Sequence, residues 1–528
     1  MSKPARRSWL FCAATGIFLT FCFPHSPLGF LAWFSFIPLL WAIEHCQSGR
    51  QALFYGLIAG LVFFGISLYW LIYVTVFGWI FVACLEASFV MLFGGLVYEG
   101  RKIRHPFLKI LWISLSWSSL ELVRSEMPVF GLGWNLLAYS QSDYPWILQS
   151  ANTVGAYGLG FVIAFVNACL FEILIQATRQ RLKIAESPLK FLKSAVFGLL
   201  SLVFIVFSLL LGHGYYHFHH RNSPNASLRI SVLQGNIPQV IKWEPVAREK
   251  IIELYSRLTQ LAAFERPDLI IWPEAAFPGY FNQDPEAEGI QELVRQIHVP
   301  VIIGSPHFES WTRAFNSAYL LGPEGAIQNR YDKLYLVPFG EYVPLKPIFG
   351  WLEPIAYSLG VSDFQAGTQY TLFQLKDQIP FAVLICFEDV FPNLARSFVH
   401  RGARFLAVIT NDAWFGPSSA PYQHLQASIF RAVENGVPVV RAANTGISAF
   451  ISKKGVVLDR VEDSTGHDIF VAGKKTLTIP LEDKETLYRK GGYLFPYGAL
   501  ILFGTMFVVQ QIKYKAVKHG RKIENKSR

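Results

Sequence analysis

Apolar residues gather along this 528-residue chain in eight long runs, at 8–23, 28–43, 52–74, 77–98, 106–122, 152–176, 194–212 and 493–510. A helix that crosses a bilayer needs roughly 17–25 mostly apolar residues. The pattern therefore predicts eight transmembrane helices, the first two slightly short and paired around Pro24 and Pro27. Between the seventh and eighth runs the pattern changes. Short β-rich runs at 229–234, 269–272, 299–304, 382–386, 405–410 and 437–441 alternate with amphipathic stretches such as 245–264 and 286–297. Continuous apolar strands with helices between them predict an α/β domain whose sheet is covered on its faces. The expected division is a seven-helix membrane domain over 1–212, an α/β domain over 213–490, and an eighth helix with a basic tail over 491–528.

Composition and charge sharpen this. The chain is 52% hydrophobic and 15% aromatic, which suits a protein living partly in lipid and at its interface. The net charge of +10 is carried beside the apolar runs: by Arg6 and Arg7, by Arg101, Lys102 and Arg104, by Arg179, Arg181, Lys183, Lys190 and Lys193, and by the tail from Lys513 onward. These residues flank spans instead of forming a basic face, which argues against nucleic acid. With the first run as an uncleaved anchor and its basic flank in the cytoplasm, every basic connection falls inside and the α/β domain falls outside. Glu86, Glu121 and Glu172 lie within spans and are expected to face protein, with Glu121 one turn before Arg124. Of six cysteines only Cys386 lies in the α/β segment, so no disulfide can form there.

The chain has no G-x-S-x-G elbow, no H-E-x-x-H, no P-loop and no paired C-x-x-C. His213, His217, His219 and His220 have no Cys or carboxylate beside them and read as a solvated interfacial turn, so neither metal nor cofactor is expected. Three polar residues end apolar runs: Glu274 after Leu269-Ile-Ile-Trp-Pro, Lys333 in Arg330-Tyr-Asp-Lys, and Cys386 after Val383-Leu-Ile. Sites in open α/β sheets gather where strands end. Singly, these residues read as a turn, a surface lysine and a packed thiol. Together they supply a nucleophile once the thiol ionises, an acceptor for its proton, and a cation for the negative charge that forms.

The three segments resemble the Glu-Lys-Cys triad of the carbon–nitrogen hydrolase (nitrilase-like) superfamily. The fuller resemblance is to the apolipoprotein N-acyltransferase family. It is carried by Gln234-Gly-Asn-Ile-Pro-Gln239 with Trp243, Leu336-Val-Pro-Phe-Gly-Glu341, Asn411-Asp-Ala-Trp-Phe-Gly416, Arg441-Ala-Ala-Asn-Thr-Gly446, Glu121-Leu-Val-Arg124 and Leu137-Ala-Tyr-Ser-Gln141. The resemblance implies an αββα sandwich, with Glu274 as general base, Lys333 as oxyanion stabiliser and Cys386 as nucleophile. It implies supporting roles for Glu341 and Glu388, and Trp243 and Trp414 at the substrate entrance. Phe387 stands where the family often has Tyr, keeping the ring and a backbone N–H for the oxyanion hole.

The resemblance further implies transfer of an acyl chain from a membrane phospholipid, phosphatidylethanolamine, to the N-terminal amine of a diacylated apolipoprotein. The reaction would run through a thioester, in a monomer of the bacterial inner membrane with its catalytic domain in the periplasm. The loop 344–359, with Ile348, Phe349, Trp351, Leu352 and Ile355, is expected either to touch lipid and gate acyl entry or to pack on its own domain. Two rivals remain: a membrane-anchored carbon–nitrogen hydrolase (amidase) acting on a small molecule, and a non-enzymatic channel or transporter.

Overall fold

The computed structural model describes residues 7–24, 26, 28–182, 189–220, 224–311, 313–354, 363–375, 378–482 and 485–524. Among these, five helices are long and apolar enough to cross a membrane: Gly49–Ser67, Val76–Gly100, Ala151–Thr178, Val196–His219 and Gly492–Ala516. The other three apolar runs behave differently. Ser8–Phe21 and Gly29–Glu44 are shorter apolar helices, the second broken near Phe34. Helix Pro106–Glu126 has 21 residues but buries Ser114, Ser116, Ser118, Ser119 and Ser125 together with Lys109, Glu121 and Arg124. It is a polar-cored helix held inside the bundle. The histidine cluster does not form a turn; His213, His217 and His219 lie in the last turns of the helix ending at His219.

Glu86, Arg124, Lys109 and Glu172, buried within the bundle, are paired, as the low dielectric demands. Arg124 reaches Glu86 on another helix at 2.5 Å and the carbonyls of Leu132 and Trp134 at 3.1 Å. Glu121, the sequence neighbour, instead accepts the Leu137 N–H at 2.6 Å. Lys109 lies 3.2 Å from Glu44 and 3.6 Å from Glu172. At one end of the bundle Arg101 donates to the carbonyls of Ile43 and Cys46, and Gln510 to that of Glu99. The connections at the opposite end meet the α/β half: Trp70 packs edge-on against Phe415, with ring centroids 4.6 Å apart.

The α/β half contains β1 (Ala226–Gln234), β2 (Leu269–Ile271), β3 (Val301–Ser310), β4 (Arg313–Leu321), β5 (Ile327–Asp332), β6 (Phe373–Gln374), β7 (Pro380–Ile385), β8 (Leu406–Thr410), β9 (Val439–Ala443), β10 (Ala449–Ile451), β11 (Val457–Arg460) and β12 (Gly473–Leu481). They form two six-stranded sheets, ordered β12-β1-β2-β3-β4-β5 and β11-β10-β9-β8-β7-β6. β1–β2–β3 and β7–β8–β9 run parallel, and the flanking pairs are antiparallel. Strand alternation divides the first sheet's side chains. Ile230, Val232, Leu269, Ile271 and Ile302 enter the core shared with the second sheet. Leu233, Ile270, Trp272, Val301 and Ile303 pack with Tyr255, Leu258, Ile290 and Val294 of helices Pro245–Ala263 and Glu286–Ile297. Helices Pro392–His400 and Ala420–Asn435 cover the second sheet. The order is helix, sheet, sheet, helix, and burial on both faces is why the central strands are apolar throughout.

Candidate active site

Three strand ends deliver the residues singled out in the sequence. β2 ends at Ile271, and the turn Trp272-Pro273-Glu274 follows. Room for that turn comes from Gly304 on β3, where an added Cβ would lie 2.2 Å from the Pro273 carbonyl oxygen and 2.8 Å from the Glu274 Cα. β5 ends at Asp332, so Lys333 is the first residue past the strand, its N–H bonded to the Asn316 carbonyl at 2.9 Å. β7 ends at Ile385. Cys386 then takes a left-handed backbone (φ 53°) and opens the short turn Cys386–Val390. A non-glycine residue in that region is strained and is held there by its surroundings.

Lys333 Nζ lies 2.9 Å from Glu341 Oε2 and 3.7 Å from Glu274 Oε1. Asn316 Nδ2 donates to both carboxylates, to Glu274 at 2.8 Å and Glu341 at 2.7 Å. Burial alone would lower the Lys333 ammonium, but Glu341 and Glu274 outweigh it and hold it protonated. Burial pushes the Cys386 thiol well above the usual range; Glu274 pushes the same way, and Lys333 opposes both. Two carboxylates, Glu274 and Asp412, and the Lys333 ammonium thus bear on the thiol. The sequence did not mark Asn316, which joins the two carboxylates: it lies inside a strand that is mostly buried and mostly apolar.

Glu388 fastens two of these elements together. Its Oε1 accepts the Tyr331 hydroxyl and the Leu334 N–H at 2.7 Å each and the Tyr335 N–H at 3.2 Å; its Oε2 accepts the Ile385 N–H at 2.7 Å. Burial raises this carboxyl to about 7, against the pull of the Ile385 N–H and Lys333. Beneath the Cys386 turn lies a second buried group. His424 Nε2 is 2.8 Å from Asp389 Oδ1 and 3.3 Å from the Cys386 carbonyl oxygen, and its Nδ1 is 3.1 Å from Asp412 Oδ1. Arg441 closes on Asp389 at 2.8 Å.

Models of two families match the chain. The apolipoprotein N-acyltransferase N-terminal domain matches residues 15–169, and carbon-nitrogen hydrolase matches residues 229–472. An apolipoprotein N-acyltransferase from Geobacter metallireducens is 35% identical, over 97% of this chain and 97% of its own length. One from Chlorobaculum tepidum is 28% identical, over 94% and 96%, and one from Methylococcus capsulatus 30% identical, over 85% and 86%. This chain belongs to the apolipoprotein N-acyltransferase family. Among solved structures, an amidase of the nitrilase superfamily from Nesterenkonia covers 49% of this chain and 92% of its own at 19% identity, with a TM-score of 0.36. The fold assignment therefore rests on the carbon-nitrogen hydrolase match and the strand order.

Three of the segments that carried the family resemblance meet in space. Asn444 joins the loop 235–239 through Asn236 N, Ile237 N and the Ile237 carbonyl, and Asn411 Nδ2 donates to Gln239 Oε1 at 2.8 Å. Trp243 is half exposed, and Trp414 sits at the surface of the turn Asp412–Phe415. A cavity of about 640 Å³ opens beside the residues that follow Lys333 and Cys386. Met127 and Val129 line it from the membrane half, Leu334 and Phe387 from the residues after Lys333 and Cys386, and Lys346 and Asp363 add charge. In the loop after Pro344, Ile348 and Trp351 are exposed, but Phe349 meets Phe339 and Phe130 edge-on at 5.7 and 6.4 Å. That loop is thus partly packed and partly bare; Ile355 to Leu359 lie outside the described residues.

Proposed function

We propose that this chain moves a fatty acyl chain from a membrane phospholipid to the N-terminal α-amine of a diacylglyceryl-cysteine apolipoprotein. Glu274 accepts the Cys386 thiol proton as sulfur attacks the donor ester. The carbonyl oxygen takes up negative charge, facing Lys333 and the Phe387 N–H. Collapse breaks the C–O bond, the proton passes to the departing lysophospholipid oxygen, and a thioester remains. The α-amine, with a pKa near 8 and partly neutral at pH 7, then attacks the thioester. The C–S bond breaks, and the amine's proton returns to the sulfur through Glu274. Glu341 and Glu388 hold the lysine and the Cys386 turn, while Trp243 and Trp414 border the entrance. Phosphatidylethanolamine is the proposed donor, and the enzyme acts as a monomer without cofactor.

The observation that carries this reading is a carboxylate, an ammonium and a thiol at three strand ends, beside a cavity whose other wall belongs to the membrane half. A soluble hydrolase has no use for such a wall. A lipid substrate does, since each buried CH₂ contributes about 0.8 kcal/mol. Helices Ser8–Phe21, Gly29–Glu44 and Pro106–Glu126 complete eight crossings in this reading, with domains divided near residues 212 and 491. The basic connections then face the cytoplasm and the α/β half the periplasm of a bacterial inner membrane. The clustering of Arg101, Cys46 and Gln510 at the bundle end away from Trp70 and Phe415 supports this topology.

Incubating the protein in detergent with phospholipid labelled in its acyl chain tests the reading. Mass spectrometry is expected to find the labelled chain on the peptide containing Cys386, and Cys386→Ser to abolish a hydroxylamine-labile adduct. A wild-type protein that stays unlabelled while it hydrolyses a small amide would replace this reading with the amidase.

A further inference from the structure

In the run Val240-Ile241-Lys242-Trp243 the usual preference is inverted. Val240 is 85% exposed and Trp243 50%, while Lys242 is only 2% exposed. Lysine is rarely this buried without an ion pair. No salt bridge involves Lys242 among the described residues, and its ammonium donates at 3.2 Å to the main-chain carbonyl oxygen of Glu274. The backbone around it is pinned by the contacts from Asn411 and Asn444 to the loop 235–239. Its other contact is the Trp243 ring, 5.8 Å away, so the site spends a buried cation on neutral partners, immediately behind the proposed base.

Lys333 makes the contrast plain. Its ammonium lies between two carboxylates, so much of its field is already neutralised. Negative charge forming on Cys386 sulfur, and then on the former carbonyl oxygen, needs more cationic field than Lys333 has left. Glu274 and Asp412 both oppose that charge.

We propose that Lys242 is a further catalytic residue, a second buried cation that stabilises the negative charge passing from Cys386 sulfur to the acyl oxygen. The proposal rests on the nucleophile role assigned above to Cys386. Burial lowers the Lys242 ammonium to about 8, with Glu274 and Cys386 raising it in opposition; the hydrogen bond to the Glu274 carbonyl is what sets it beside the proposed base. At neutral pH it remains mostly charged. The groups acting on the thiol are Glu274, Lys333, Asp412, Lys242 and the Thr410 hydroxyl; Glu341 stands behind Lys333, and His424 reaches the Cys386 carbonyl instead of its sulfur.

The test is the rate at which iodoacetamide alkylates Cys386 in the full-length protein, followed by mass spectrometry from pH 6 to 10. Lys242→Met and Lys242→Gln are compared with wild type, and apparent Tm reports whether each folds. Both variants are expected to slow alkylation about 10-fold or more near neutral pH and to move its rise upward by about one pH unit, which corresponds to that factor. Wild-type alkylation in both variants would overturn the proposal. So would slowing by Met alone, because Gln keeps a donor to the Glu274 carbonyl and lacks only the charge. Alkylation needs no phospholipid. A wild-type protein that alkylates but takes up no acyl chain would count against the acyl-transfer reading without touching the role of Lys242.

Discussion

His424 carries a charge that the unfolded chain lacks. Burial alone would lower its imidazolium, but Asp389 and Asp412 outweigh burial and Arg441, and it holds its proton to about 9. An unperturbed histidine titrates near 6.5. Between those values the folded state binds a proton that the unfolded state has lost. The stability this confers is complete below about pH 6.5 and disappears as pH rises through about 9. Apparent Tm in detergent is expected to fall over that window, and His424→Gln to flatten the fall. A variant with the wild-type slope would show that other groups set it. This histidine was not legible in the sequence, nor were Asn316 and Lys242. His424 and Asn316 are single polar residues in stretches that offer no motif, Lys242 lies beside the motif residue Trp243 without belonging to the pattern, and only tertiary placement gives each its partners. Glu274 and Cys386 were legible because each ends an apolar run, where a polar residue interrupts a pattern; Lys333 was legible through its family-like segment Arg330-Tyr-Asp-Lys.

At the level of elements, the site depends on how closely the turn after β2 crosses β3. The Trp272 N–H bonds to the Ile302 carbonyl at 2.9 Å and the Phe277 N–H to that of Gly304 at 3.1 Å. The intervening Glu274 backbone therefore passes directly over Gly304. Gly304→Ala would set a methyl against the Pro273 carbonyl and the Glu274 Cα. Overpacking of this kind typically costs 1–3 kcal/mol, and here the displaced residue is the proposed base. Acyl-enzyme formation is expected to slow 10-fold or more with a modest loss of apparent Tm. An unchanged rate would mean that the turn can shift without moving the carboxylate. The central strands β1, β2, β3, β7, β8 and β9 were readable from continuous apolar runs. The flanking strands β5, β11 and β12 were not: their exposed faces carry Asn329, Arg330, Asp459 and Lys474, which leave no such run. Helix Pro106–Glu126 reads as a span by its apolar residues, yet its serines and ion pairs mark it as a helix for the bundle interior.

For the whole molecule, the question is how a sheet-based active site is kept in register with a lipid-facing bundle. Helix Ala420–Asn435 is the joint. On one side it carries His424, beneath the Cys386 turn. On the other, Gln423 Oε1 accepts the indole N–H groups of Trp70 at 3.0 Å and Trp134 at 2.8 Å, and Gln423 Nε2 donates to the Ser67 carbonyl at 3.0 Å. One side chain thus satisfies three polar groups of the membrane half, all buried, and the Trp134 ring lies 5.1 Å from the His424 ring. Replacing Gln423 with Leu keeps the volume but orphans those groups, at about 1–3 kcal/mol each for a buried unsatisfied donor or acceptor. The two halves should then part locally, and the cavity wall made by Met127 and Val129 should loosen. Alkylation of Cys386 by iodoacetamide needs only the groups around the thiol, whereas the proposed acylation by phospholipid needs that wall. Gln423→Leu is therefore expected to cut acyl-enzyme formation at least 10-fold while alkylation stays within about 2-fold of wild type. Equal losses in both would mean that the joint holds the nucleophile itself, and that the two halves of the molecule work as one catalytic unit.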